Sequence, residues 1–399
     1  MTQEHQLRCS VSPQRLITTE GTIIPQAVRF ANGTMIVRYA LGCDAWFTPR
    51  GAHRSADNGK TWEPWTPPLP AASETMGVIA PGRALAFDAH LWRTGPSEYT
   101  AIYSETRDSG DSFEGPKRAR FQIEDVIDTP YVPRARDDPD YFYEPEVPRF
   151  YDLITQEHGA ILGGHMFGPI IRLPDGGLGM SAYCRMKGNM RRTQRDPSTY
   201  VSKRPAEGVA EEATDDILWS SVFLRSEDDG ETWRAASTIL KATDDFPFDA
   251  GVLYSEGFTE TGLSCTSDGN IYALVRHGSY MLLWGAISSD GGRTWGEPLC
   301  FNYSGVAPCV CLMPNGVLAA AWGRPGMSVG FSLDGTGRTW DVLVGVMQDD
   351  VPSQKYPWIV PIAEDRLMLF YDRRKWDASK RVFYDHGIYC REIAVARAE

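Results

Sequence analysis

The sequence predicts an all-β fold, a single six-bladed β-propeller, from three observations. An octapeptide recurs five times, an apolar strand–turn–strand pattern recurs beside it, and the chain has the length of a closed β architecture. The 399 residues, 42% hydrophobic and 23% charged, are globular in composition and sufficient for a large buried core. Two or three average domains fit roughly this length, but closed β folds often reach it as one unit.

The octapeptide follows S/T-x-D-x-G-x-T/S-W/F. Its copies run Ser55–Trp62, Thr106–Phe113, Ser226–Trp233, Ser288–Trp295 and Ser332–Trp340, the last with one inserted residue. The pattern describes a hairpin loop. Asp accepts hydrogen bonds from nearby backbone N–H groups, Gly takes positive φ, and the final aromatic buries a large apolar surface.

The second repeat is an apolar strand, a Gly turn and another apolar strand. It is seen at Val28–Val37, Ile171–Met180, Cys265–Leu274 and Leu312–Ala320. Val360–Leu369 is a further version that has no octapeptide. Strand, turn, strand, strand, loop, strand makes one four-stranded blade. The blades are expected over 20–70, 74–120, 159–240, 256–300, 301–346 and 354–395. Gln6 to Ile17 would add the last strand of the sixth blade and close the ring. The long interval between the second and third octapeptides holds two insertions, 124–157 and 187–216. The second is polar and without periodicity, so it reads as a loop.

Other classes are excluded or disfavoured. No run approaches the ~18 apolar residues that span a bilayer, and no membrane partner is expected. A net charge of −12 argues against nucleic acid as a partner, which needs a basic face. The first residues lack the charged-then-apolar pattern of a secretory signal, so a cytoplasmic location is expected. The eight cysteines are scattered without a CxxC pair and read as reduced thiols, and no metal or cofactor is expected.

The octapeptides resemble the Asp boxes of the sialidase (neuraminidase) superfamily, whose members are six-bladed propellers, and the resemblance covers nearly the whole chain. It implies that Asp57, Asp108, Asp228, Asp290 and Asp334 are structural, on the outer rim. It also implies a glycosidase site at the mouth of the central channel. In the family, a Glu that assists the nucleophile and an Arg that binds the substrate carboxylate lie sixteen positions apart. Glu260 and Arg276 have that separation. A solvated strand-end carboxylate and a rim charge are the competing readings.

The resemblance assigns the nucleophile to Tyr356, which opens the first strand of the last blade. Pro357 and Trp358 follow it instead of the family's Ser or Thr and Asp, so a packing aromatic is the alternative. A neutral phenol activated by Glu suits a substrate whose carboxylate repels an anionic nucleophile. Arg324 lies near the family's third substrate arginine. Asp44, flanked by Trp46 and Phe47, is the carboxylate in the loop that supplies the family's general acid; desolvation would raise its pKa. Turn formation is its competing use. The chief departure is Thr22-Ile23-Ile24-Pro25, where Ile23 replaces the arginine of an Arg-Ile-Pro motif. Either another arginine such as Arg38 or Arg50 compensates, or the substrate is not sialic acid.

His165 opens the third blade in the register of Ile23–Pro25, as a general acid or base or as a substrate contact. With it, Glu256, Glu260 and Asp44 are candidates for a carboxylate pair. His53 is expected to be a strand residue. Trp46, Trp284 and Trp358 are candidates to stack on sugar faces, although aromatics also fill propeller cores. The insertion around Tyr131 to Tyr151 would overhang the channel and impose an exo mode. The expected function is therefore exo-hydrolysis of a terminal acidic or rare sugar from a small oligosaccharide. A lyase or hydrolase using His165, and a non-catalytic carbohydrate-binding propeller, are the alternatives.

Overall fold

The computed structural model describes residues 7–20, 23–41, 50–66, 73–130, 154, 157–159, 161–190, 217–243, 256–278, 281–347, 356–377 and 382–397. The described residues are built on strands arranged as four-stranded antiparallel meanders. Unit A comprises Ile23–Arg29, Met35–Ala40, Arg50–Ser55 and Glu63–Pro64. Unit D comprises Thr261–Cys265, Ile271–Val275, Leu282–Ser288 and Leu299–Ser304. Unit E comprises Val306–Leu312, Leu318–Gly323, Met327–Ser332 and Val342–Met347. In unit F, the strands Pro357–Ala363, Arg366–Asp377 and Val382–Arg397 are joined by the N-terminal Leu7–Val11, with Leu7 opposite Arg397.

A twelve-stranded sheet contains two further meanders. Unit B is Ser73–Ala80, Arg83–Asp88, Glu98–Thr106 and Glu114–Gln122; unit C is built on Leu178–Cys184, Ser220–Ser226 and Thr232–Leu240. They are joined twice. Arg120 pairs with Thr232 in parallel at the outer edge, and His90–Gly95 pairs antiparallel with Ile161–Met166, setting His165 opposite His90. The architecture is all-β and β-propeller-like.

Burial follows from this stacking. Met35–Ala40 is buried at every position because neighbouring units cover both of its faces, which is why the inner strands read as continuous apolar runs. The outermost strands are less buried: Glu114–Gln122 is largely exposed and Val342–Met347 mostly half-buried.

The octapeptides form the hairpin loops expected of them. In the first, Ser55 Oγ donates to Asp57 Oδ1 at 2.8 Å, and the N–H and hydroxyl of Thr61 donate to the same carboxylate at 2.9 and 2.7 Å. The Thr106, Ser226 and Ser288 loops repeat these bonds, and in the fifth copy Thr336 takes over the donor role. The glycine does more than turn the chain. A Cβ on Gly110 would lie 2.4 Å from Ile36 of unit A, one on Gly292 2.1 Å from Phe223 of unit C, and one on Gly337 2.6 Å from Tyr272 of unit D. Each loop thus lies against the preceding unit. The closing aromatics do the same: Trp62 meets Phe370, Trp295 meets Phe223 and Trp340 meets Tyr272. These loops fasten neighbouring units together.

Candidate functional site

Three units carry a turn of one kind at the start of an inner strand. Ile24 (φ 54°), Gly168 (φ 102°) and Ala307 (φ 47°) lie in the left-handed region, and each precedes a proline: Pro25, Pro169 and Pro308. Positive φ is a genuine outlier for a β-branched residue such as Ile24. The strand register shifts at two of these turns, between Ile23 and Gln26 and between Val306 and Cys309, so they act as bulges that re-aim the chain. Strained backbone of this sort concentrates at functional sites. Here it brings residues of units A, C, E and F together: Ile23, Ile24, Phe167, Ala307 and Tyr356 form one buried apolar cluster.

The sixteen-residue separation of Glu260 and Arg276 has a simple cause. Thr261 stands opposite Val275 in the first hairpin of unit D, and the next pair outward is Glu260 with Arg276. The backbone N–H of Arg276 donates to the Glu260 carbonyl at 2.9 Å. Their side chains also meet, Arg276 Nη1 donating to Glu260 Oε1 at 2.7 Å. Arg276 Nη2 lies 3.1 Å from Glu256 Oε2, so two carboxylates share one guanidinium. The second Glu260 oxygen accepts the N–H of Ala307 at 2.7 Å, an N–H presented by the left-handed turn of unit E.

Unit F repeats the arrangement with other residues. Pro357 stands opposite Tyr371, and the next pair outward is Tyr356 with Asp372, whose Oδ1 accepts the Tyr356 N–H at 2.6 Å. Asp372 is fully buried, and Tyr356 is 4% exposed. The Arg324 guanidinium lies 5.7 Å from the centre of the Tyr356 ring. Ile23 is fully buried in the same cluster, so the position where the resemblance called for an arginine is packed with hydrocarbon.

His165 is buried at the seam of units B and C, where aromatic rings surround it. Its ring centre is 5.2 Å from Tyr183, 5.5 Å from Trp219 and 5.2 Å from His90. His90 Nδ1 is 2.9 Å from Asp88 Oδ1, and the Arg185 guanidinium lies 4.0 Å over Trp219. The Asp88 carboxylate assigns the proton to His90 Nδ1 in the neutral ring. This corner joins the Glu260 network. The Trp219 backbone N–H donates to the Glu256 carbonyl and its carbonyl accepts the Phe258 N–H, and Tyr183 packs on the Ile23–Tyr356 cluster. His277, stacked on Phe258, has its pKa pushed down to about 4 by burial.

Of the other candidates, Arg38 is buried in unit A, opposite Gln26 and Ala52. Trp284 is half-buried in unit D, opposite Val275. Trp358 is buried, and its Nε1 donates to the Ala27 carbonyl at 2.8 Å, so it joins unit F to unit A with its ring inside the core. His53 lies in the strand Arg50–Ser55, with Nδ1 2.8 Å from the Tyr39 hydroxyl. Asp44, Trp46 and Phe47 lie outside the described residues, as do 131–153 and 191–216 of the two insertions. Asp372, Asp88, His90, Tyr183, Arg185 and Trp219 escaped the sequence reading. Only Asp372 had a local signal, the same sixteen-residue step from Tyr356 that joins Glu260 to Arg276. Among the described residues, no group of three His, Cys, Asp or Glu side chains is placed to hold a metal ion.

No family model matches the chain, and no curated protein matches it in sequence. Solved structures do match in fold. A protein of unknown function from Dyadobacter fermentans superposes with TM-score 0.64 at 14% identity, over 97% of this chain and 99% of its own. A Hadza microbial sialidase gives 0.56 at 15% identity, covering 94% of this chain and 66% of its own. The GH93 α-L-arabinofuranosidase of Fusarium graminearum, solved with arabinobiose, gives 0.51 at 12% identity over 97% and 98%. The chain thus has a sialidase-like fold, shared with glycoside hydrolases of different specificity.

Proposed function

We propose that this protein is an exo-acting glycoside hydrolase built as a six-bladed propeller, in which units A to F are the blades and the octapeptides are Asp boxes. The observation that carries the reading is the convergence of Glu260, through Ala307, on the cluster that contains Tyr356, with Arg276 and Arg324 alongside. A carboxylate close to a phenol at an inner strand edge can supply the base and the nucleophile of glycoside cleavage by the tyrosine variant of that chemistry. In this reading Asp44 protonates the leaving oxygen as the glycosidic bond breaks. The Tyr356 oxygen bonds to the anomeric carbon while its proton passes to Glu260, and water then cleaves the tyrosyl ether to release the sugar. The substrate is the terminal sugar of a small oligosaccharide.

A second reading is a carbohydrate-binding propeller without turnover. It is favoured by the engagement of both Glu260 oxygens, one by Arg276 and one by Ala307. Release of nitrophenol from a panel of aryl glycosides, an aryl sialoside included, separates the two. The hydrolase reading expects turnover on at least one member, lost in Tyr356→Phe. The binding reading expects affinity for sugars with no release on any.

A further inference from the structure

We propose that the candidate site selects a neutral sugar ring rather than an acidic one, and that the corner of His165, Tyr183 and Trp219 recognises it. This rests on the carbohydrate-active reading above and narrows its substrate class.

Recognition of a sugar carboxylate calls for a guanidinium whose planar fork is available to it. At position 23 the site offers Ile23, fully buried against Tyr356, Phe167 and Ala307. A carboxylate moved against that hydrocarbon loses its hydration, and the guanidinium described beside the cluster, that of Arg324, faces the Tyr356 ring, 5.7 Å from its centre. Arg276 already lies between Glu256 and Glu260, and the three side chains together carry a net negative charge. A substrate anion would become the third carboxylate around a single cation, and like charges at such range repel. Arg185 is committed to the face of Trp219, the Ile217 carbonyl and the Thr129 hydroxyl.

The corner has the chemistry of neutral sugar recognition. Tyr183 and Trp219 stand at 88° with centres 5.2 Å apart, and both are half-buried. His165 lies against both rings, its centre 5.2 Å from Tyr183 and 5.5 Å from Trp219, and His90, bonded to Asp88, packs on it. Aromatic faces take the C–H side of a sugar ring, and a neutral imidazole can donate to or accept from a hydroxyl. Nothing in this corner needs a charge on the ligand.

Saturation-transfer NMR with L-arabinose, D-galactose and L-fucose, against D-glucuronic acid and N-acetylneuraminic acid, tests the class without requiring turnover. The expected result is transfer to at least one neutral sugar and none to the two acids. It should be weakened about tenfold in His165→Gln and Trp219→Phe variants that melt like the wild type. Preferred binding of either acid, binding of neither class, or neutral-sugar binding indifferent to both variants would overturn the proposal. Neutral-sugar binding with no aryl glycoside turned over keeps the substrate class and removes the hydrolase reading. Hydrolysis of an aryl sialoside or glucuronide alone keeps the hydrolase and removes the substrate class.

Discussion

Glu260 of unit D reaches Ala307 of unit E across the seam, accepting its N–H at 2.7 Å while holding Arg276 with the other oxygen. The strained turn at Ala307 supplies that N–H, so backbone geometry in one unit and a side chain in the next define one structure. The pairing has energetic consequences. Glu260→Ala would take the Glu260 carboxylate from the Arg276 guanidinium and the acceptor from the Ala307 N–H. Removal of one partner from a buried ion pair costs about 3–5 kcal/mol. Urea denaturation should show a loss of that size for Glu260→Ala and a smaller one for Glu260→Gln, which keeps an oxygen acceptor.

Ile23 provides the second prediction. Ile23→Arg would place a guanidinium in the cluster of Phe167, Ala307 and Tyr356, where the described residues offer hydrocarbon. Restoring the arginine of the resembled motif should therefore lower stability by several kcal/mol, by the desolvation of a buried charge. The melting temperature reads this directly, and a variant as stable as the wild type would show that a partner for the charge is near.

The glycines of the two repeats predict a graded series. Gly292 has φ +84° and no room for a Cβ beside Phe223, whereas Gly176 has φ +93° and open space around it. Gly176→Ala should cost about 1 kcal/mol from backbone strain alone. Gly292→Ala adds a steric clash and should cost about 1–3 kcal/mol more. Equal losses in chemical denaturation would mean that packing against unit C contributes nothing.

Protonation of His277 gives a pH dependence whose sign follows from burial. Its pKa is pushed down from 6.5 to about 4 in the folded chain. The unfolded chain therefore binds the proton first, and the stability that neutral His277 contributes is fully present above pH 6.5. It is lost as pH falls from there through about 4, to an extent on the order of 3 kcal/mol. The difference in unfolding free energy between wild type and His277→Gln, measured from pH 7.5 to 4, should change over that window. A constant difference would contradict it.

Much of this fold can be read along the chain because its information is local and repeated. Each octapeptide carries its own hydrogen bonds within a few residues, and each hairpin sets its own register, which is why the sixteen-residue separation singled out by the resemblance sets Glu260 opposite Arg276. The seam of units B and C is not legible in that way. His90, hydrogen-bonded to Asp88, meets His165 only because two strands far apart in the sequence pair across the units. No periodicity announces a buried histidine pair, nor that the Trp219 ring lies against His165 while its backbone bonds to Glu256 and Phe258. Trp358 shows the opposite difficulty, since its place in the sequence suits a sugar platform as well as the core strut that it is.

A double-mutant cycle on Glu260 and Tyr356 tests most directly whether these two residues act as one catalytic unit. Turnover of the most reactive aryl glycoside would be compared for the wild type, Glu260→Gln, Tyr356→Phe and the double variant. Residues that work as a unit are non-additive, so each single change should cost about 10³-fold or more in kcat and the double variant no more than the worse single. Losses that multiply, or a Tyr356→Phe enzyme as fast as the wild type, would contradict the account.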